Sequence, residues 1–409
     1  MKNMTRSAAP KPCPAGRDRG RDTKQNPSLP GSNTLGGGSL TCDRKIGKKP
    51  WGEASTTQWG DWEWQLRNRV RSLTRLASVM NRPVASFAAC RSVAKTYPLA
   101  ITPYYLSLMD AVEKGDPFRG QCFPDPRELD LSLGEADDPL GEEEAMPVPG
   151  LIHRYPDRCL LIVTNACAVY CRHCNRKRIW RDEKPRGGRE WLQPMIDHVA
   201  RTPSLREVII SGGDPLLLSD GLLEWLLVAL QAIPHVEVLR IGSRAPVTLP
   251  MRVTRELAAM LQRHRPLWFN TQFNHAREIT PESIQACERL LMAGIPVSNQ
   301  SVLLKGINDD YETMRDLLIG LERISVRPYY LFQCEPVRGA NHFRAEIRGG
   351  VEIMEKLRQN VSGLCLPRYV LDCPGGRGKI PLQHFLMPAE PVRKAGIEKH
   401  SFDKRDRMD

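Results

Sequence analysis

No stretch of the 409 residues is apolar for long enough to cross a bilayer, so the sequence predicts no membrane-spanning helix. A paired cysteine framework is also missing. The twelve cysteines are mostly scattered singly, which excludes a small disulfide-stapled secreted domain and predicts a reducing, cytoplasmic setting. Acidic residues are scarce at the start: residues 1–50 carry eleven Lys and Arg against Asp18, Asp22 and Asp43. Of the net charge of +12, this segment therefore holds +8. The rest of the chain is only mildly basic, so the charge argues little for a nucleic-acid partner. Residues 1–48 are rich in Pro, Gly, Ser and Asn and are expected to form a disordered basic tail. Hydrophobic residues make up 41% of the chain, enough for the core of a sizeable enzyme.

The most informative feature that is present is Cys167-Ala-Val-Tyr-Cys171-Arg-His-Cys174. The spacing supplies three thiolates from one tight loop and no fourth. Three ligands suit a [4Fe–4S] cluster with one open iron, which can bind the amino and carboxylate groups of S-adenosylmethionine and pass it one electron. The alternative is a zinc site completed by His173. Zinc ligands usually come as two separated pairs, which this loop does not offer.

From Cys159 onward, short β-rich runs alternate with helical patterns. The runs cover 159–164, 207–211, 236–241, 267–272, 296–302, 327–332 and 368–372. Helices are expected over 221–231, capped by Asp220, and over 281–292, capped by Thr280 with Pro281 in the first turn. Alternation of this kind calls for a parallel sheet with right-handed crossovers. The expected architecture is α/β: a partial (βα)6 TIM-like barrel over 150–345 and a C-terminal segment over 346–409. Ahead of it, 49–149 should form a helical region and connector. There Leu66, Val70, Leu73 and Leu76 recur at helical spacing, tryptophans 51, 59, 62 and 64 should anchor the region, and 125–149 reads as an irregular wrap.

Parallel barrels place their chemistry at the C-terminal ends of strands. Unusual polar residues fall there repeatedly: the three cysteines, Ser211-Gly212-Gly213-Asp214, Arg244, Gln272, Gln300 with Lys305, Glu335, and Asp372 with Lys379. The two glycines allow backbone amides to approach a polar ligand closely. Alone they would read as an ordinary turn. Lys379 ends the glycine-rich loop after Asp372 and is placed to form a Schiff base with an aldehyde cofactor such as pyridoxal phosphate. Arg154, Arg158 and Arg176 stand where anionic groups would need them, which favours this role over a solvated surface lysine.

Taken together, the cysteine loop, Asp61–Arg69, 101–106, His153–Arg158, Arg240–Arg244, Leu303–Asn308 and the Lys379 loop resemble the lysine 2,3-aminomutase family of radical S-adenosylmethionine enzymes. The resemblance runs from about Trp59 to Met387. It implies that Cys167, Cys171 and Cys174 hold the cluster and that Tyr170, Ser211, Gly212, Gly213, Asp214 and Gln300 surround S-adenosylmethionine. It further implies that Lys379 carries pyridoxal phosphate, that Arg154 and Arg158 hold its phosphate, and that Arg176 holds the carboxylate of an amino acid substrate. Glu335 and Asp372 would read the far end of the substrate side chain. Two carboxylates aimed at one spot repel unless a cation lies between them, so a basic amino acid is expected and glutamate is not.

The chain departs from the lysine enzymes in having Glu335 for Asp, Gln272 for His, and Gly375-Gly-Arg377-Gly for four glycines. A guanidinium suits paired carboxylates as well as an ammonium does, so L-lysine and L-arginine are both open. Asn308-Asp309-Asp310 lacks the cysteine that binds an intersubunit zinc in lysine enzymes, and no cysteine follows Cys373. Structural zinc is therefore not expected, although a homo-oligomer is allowed. The expected electron donor is of flavodoxin or ferredoxin type. Two alternatives are a mutase acting on a protein-bound or protein-destined lysine and an RNA-binding radical enzyme that uses the basic tail.

Overall fold

The computed structural model describes residues 49–383 apart from 53, 111–114, 131–134, 182–185 and 374–377. The expected tail 1–48, the residues Gly375 to Arg377 and the chain beyond 383 lie outside the described residues. Every described residue belongs to one compact unit, Arg44–Asp409.

Nine strands form a single sheet whose spatial order is their chain order. They are β1 (Leu151–Tyr155), β2 (Arg158–Ile162), β3 (Glu207–Ser211), β4 (Val238–Gly242), β5 (Leu267–Thr271), β6 (Val297–Leu303), β7 (Arg327–Gln333), β8 (Arg368–Asp372) and β9 (Lys379–Pro381). Strands β2 to β8 run parallel, as the alternation of runs and helices requires. The seven expected runs are all strands, and they form the expected partial TIM-like barrel. Its seventh parallel strand, β8, comes from the C-terminal segment, which continues the barrel sheet.

The covering helices follow directly from the sequence. In Asp220–Gln231 the buried residues are Leu223, Leu226, Leu227 and Leu230; in Tyr311–Arg323 they are Met314, Leu317, Leu318 and Leu321. This i, i+3, i+4, i+7 stripe is the face that packs on the sheet. Pro281–Met292 begins at its expected cap, Thr280, whose hydroxyl accepts from the Ser283 amide. The other expected cap needs correction: Ser219 caps Asp220–Gln231, and Asp220 lies in the first turn, where its charge favours the helix N-terminus.

The stripe from Leu66 to Leu76 is not one helix. Trp62–Arg67 and Leu73–Val79 are separate, because Ser72 caps the second and Val70 between them exchanges two backbone hydrogen bonds with Ile101. The tryptophans do anchor this region. Trp59 packs edge-on against Trp51, and the Arg252 guanidinium lies 4.6 Å from the Trp62 ring.

Two short antiparallel strands were not apparent in the sequence pattern. Strand β1 pairs with β2, and β9 pairs with β8, so they border the parallel strands on either side. Each carries one cation of the sequence-predicted site: Arg154 on β1 and Lys379 at the start of β9. Among the described residues no helix is long and apolar enough to cross a membrane.

Candidate active site

The C-terminal ends of the parallel strands open into one cavity of about 680 Å³. All three cysteines line it, together with Ser211 to Asp214, Gln300, Arg154, Arg158, Arg176, Glu335, Asp372 and Lys379. Tyr170 does not. Its ring stacks on Trp180 at 4.7 Å, whereas Ala168, Val169 and His173 of the cysteine loop line the cavity. Lys305 is exposed and lies off the cavity.

At the sulfur end, the cysteine loop is tightly wound: the Cys174 amide donates to the Cys171 carbonyl at 2.9 Å. Burial raises the thiols of Cys167 and Cys174; Cys174, Asp214 and Cys171 push Cys167 up further, and Cys171 pushes Cys174 up to about 11. The three sulfurs therefore face a common space, and two donors already point at them. The Arg176 amide lies 3.4 Å from Cys174 Sγ, and Arg244 Nη1 lies 2.6 Å from Cys171 Sγ. Among the described residues, no three His, Cys, Asp or Glu side chains are close enough together to hold a single metal ion. The cysteines of a cubane bind three different irons, so their sulfurs stand further apart than the ligands of one ion. The donor set fits the cluster better than zinc, because His173 Nε2 is turned towards Gln272 and Asn274.

The Ser211–Asp214 turn lines the cavity and also grips the cysteine loop. The amides of Gly213 and Asp214 donate to the carbonyls of Thr164 and Ala166 at 2.6 and 2.7 Å, so they bind the entry of the cysteine loop and are not aimed into the cavity. Glycine is required because a Cβ on Gly212 would stand 2.6 Å from the Thr164 oxygen, and one on Gly213 would collide with the Ala166 carbonyl. Burial pushes the Asp214 carboxyl up to about 6, although Ser243 and the amides of Leu216 and Arg244 donate to it. Gln300 lies within β6 and not at its end. At that point a bulge in β7 pairs Gln300 with Tyr330 and leaves Tyr329 extra, turning both tyrosines to the cavity.

At the opposite end, Asp372 sits between two cations. Arg154 Nη2 lies 3.2 Å from one carboxylate oxygen and Lys379 Nζ lies 3.2 Å from the other. The rings of Tyr155, Tyr330 and Phe332 surround that ammonium, each 5.6 to 5.8 Å away. Arg158 stacks over Tyr155 at 3.8 Å and pairs with Asp157. Loss of water around Glu335, followed by the nearby Asp372 carboxylate, pushes the Glu335 carboxyl up to about 8.

The connector supplies residues that the sequence reading passed over. Glu142 is buried and receives Arg176 through Nε and Nη2, and it also receives Arg178. Burial opposes ionisation of Glu142, but the two arginines outweigh it and hold the carboxyl below its ordinary value. Glu128, fully buried, pairs with Arg172 at 2.6 Å and Lys177 at 2.8 Å, which ties the cysteine loop to the same connector. The signal was present as an acid-rich segment facing an Arg- and Lys-rich loop.

Residues 161–318 match the radical SAM superfamily. L-lysine 2,3-aminomutase of Clostridium subterminale is 46% identical over 81% of this chain and 79% of that enzyme. The L-lysine 2,3-aminomutase of Bacillus subtilis strain 168 is also 46% identical, over 83% of this chain and 73% of that one. Glutamate 2,3-aminomutase of Clostridioides difficile strain 630 is 42% identical over 79% and 76%. With its cluster-type cysteine loop at the mouth of a partial barrel, the chain belongs to the lysine 2,3-aminomutase family, isomerases of the radical S-adenosylmethionine superfamily.

Proposed function

We propose that the enzyme carries pyridoxal phosphate on Lys379 and moves the α-amino group of a basic L-amino acid, lysine or arginine, to the β-carbon. The observation that carries this reading is the pair Glu335 and Asp372 on one cavity with Lys379 and the thiol loop. Glu335 is held protonated there by burial and by Asp372. A cation between the two carboxylates removes that repulsion, whereas an anionic side chain adds to it. The relatives named for lysine agree with this choice. A guanidinium fits the same pair by bidentate contacts.

Three cavity-lining groups support the cofactor assignment. Arg154 Nε, the Tyr155 hydroxyl and Arg240 Nε are buried without a partner, and they line the cavity that Lys379 enters. Pyridoxal phosphate would supply a conjugated ring that delocalises an unpaired electron during migration. The protein's part is positioning. Arg154 and Arg158 hold the phosphate; Arg176, braced by Glu142, holds the substrate carboxylate; Glu335 and Asp372 hold the far end. Cys167, Cys171 and Cys174 hold the cluster, with Ser211 and Gln300 beside S-adenosylmethionine. Gly212, Gly213 and Asp214 shape that side by binding the cysteine loop, and Tyr170 supports it from behind. A small one-electron donor of flavodoxin or ferredoxin type is the partner this chemistry needs. The ten described cysteines are free thiols, consistent with a cytoplasmic setting.

The test is an anaerobic assay of the reconstituted chain with L-lysine, L-arginine, L-ornithine and L-glutamate, following β-amino product. Turnover of lysine or arginine above glutamate supports the reading; preference for glutamate refutes it.

A further inference from the structure

Arg244 follows β4 and is nine-tenths buried, yet the reaction as proposed assigns it nothing. All three of its nitrogens are engaged. Nη2 donates to Gln121 Oε1 at 2.6 Å and Glu278 Oε1 at 2.7 Å, and Nε donates to the Gln272 carbonyl at 3.1 Å. Nη1 is thereby left pointing at Cys171 Sγ, 2.6 Å away. Glu278 is itself fixed by the amides of Asn274 and His275, by Tyr105 and by the Gln121 amide. A guanidinium held on so many sides does not swing away from the sulfur.

We propose that Arg244 sets the reduction potential of the cluster by donating a charge-assisted hydrogen bond to the Cys171 thiolate. The inference rests on Cys171 being a cluster ligand. Reduction adds one electron, supplied by the external donor, to a cluster already bearing three thiolates. A cation donating to one of those sulfurs withdraws electron density and stabilises the reduced state, and hydrogen bonds to sulfur are among the known determinants of cluster potential. Glu278 works in the opposite sense, because its carboxylate offsets part of the Arg244 charge. Arg244 is thus a positioning and tuning residue that acts through Cys171.

The test is an anaerobic redox titration of the full chain, reconstituted with iron and sulfide, followed by electron paramagnetic resonance of the reduced cluster without substrate. Arg244→Lys keeps the charge opposite Glu278, but one ammonium cannot reach both Glu278 and Cys171. The expected result is at least a tenfold lower ratio of reduced to oxidised cluster at the poise that half-reduces the parent. That corresponds to 59 mV for a one-electron couple, with iron and sulfide content unchanged. A ratio within twofold of the parent in a fully loaded variant overturns the proposal. If Arg244→Lys fails to load, Glu278→Gln decides the matter: a raised ratio supports the proposal, and an unchanged or lowered ratio overturns it. Cys171→Ala separates the two levels of inference, since a fully loaded Cys171→Ala chain would refute the ligand assignment itself.

Discussion

Asp372 and Lys379 face each other in the register of β8 and β9, and their side chains meet at 3.2 Å. The pairing is a product of hairpin geometry: antiparallel partners in register bring their Cβ atoms close together. The Lys379 ammonium and the Arg154 guanidinium each meet one oxygen of the Asp372 carboxylate, so its charge is compensated from both sides.

Lys379→Ala should abolish the visible absorbance of the bound aldehyde cofactor. Arg154 still pairs with Asp372 in this variant, so the hairpin should fold. The spectrum of the purified, cofactor-loaded variant checks this, and an absorbance equal to that of the parent removes Lys379 from the cofactor site.

Binding of the basic substrate should weaken in acid. Glu335 is neutral in the empty pocket up to about pH 8, so a cation entering below that value must displace its proton. Affinity for L-lysine or L-arginine should fall between pH 8 and pH 6, by up to about tenfold per unit for one coupled proton. Glu335→Gln should flatten this slope while leaving iron content unchanged. The sign for stability is the reverse. The folded carboxyl holds its proton above its ordinary value of 4.5, so the empty chain should lose stability as pH rises from there to about 8.

Gly213→Ala should prevent cluster loading more than it disturbs the sheet. The added Cβ meets the Ala166 carbonyl, which is backbone and has no rotamer by which to retreat. Overpacking of this kind costs about 1–3 kcal/mol. Iron analysis beside thermal unfolding separates the two effects, and full iron content in this variant would contradict the close-approach argument.

Glu142→Gln should leave Arg176 short of charge compensation in a buried setting, whereas Arg178 keeps Glu143 and Asp138. Breaking a buried pair in this way costs about 3–5 kcal/mol. KM should rise more than kcat falls, because the substrate carboxylate meets a guanidinium that is no longer braced.

Sequence periodicity revealed the parallel strands because short β-rich runs alternate regularly with amphipathic helices, and the cysteine loop stood out by spacing alone. What stayed hidden were contacts between residues far apart in the chain. Arg244 and Cys171 are 73 positions apart, and Arg176 and Glu142 are 34 apart. No local pattern marks such pairs. Strands β1 and β9 were hidden for another reason: both pair antiparallel and stand outside the regular strand-helix alternation, so they take their form from the strand beside them. Tyr170, which the family resemblance sets around S-adenosylmethionine, has its ring stacked on Trp180.

The central claim is that two carboxylates and one lysine at the far end of the cavity select a cationic amino acid for 2,3-migration. Product analysis of the anaerobically reconstituted enzyme, supplied with S-adenosylmethionine, pyridoxal phosphate and each of L-lysine, L-arginine, L-ornithine and L-glutamate, tests it most directly. The account predicts β-lysine or β-arginine as the main product and little or no β-glutamate. β-Glutamate as the main product, or no β-amino acid from any basic substrate despite a loaded cluster, would contradict it.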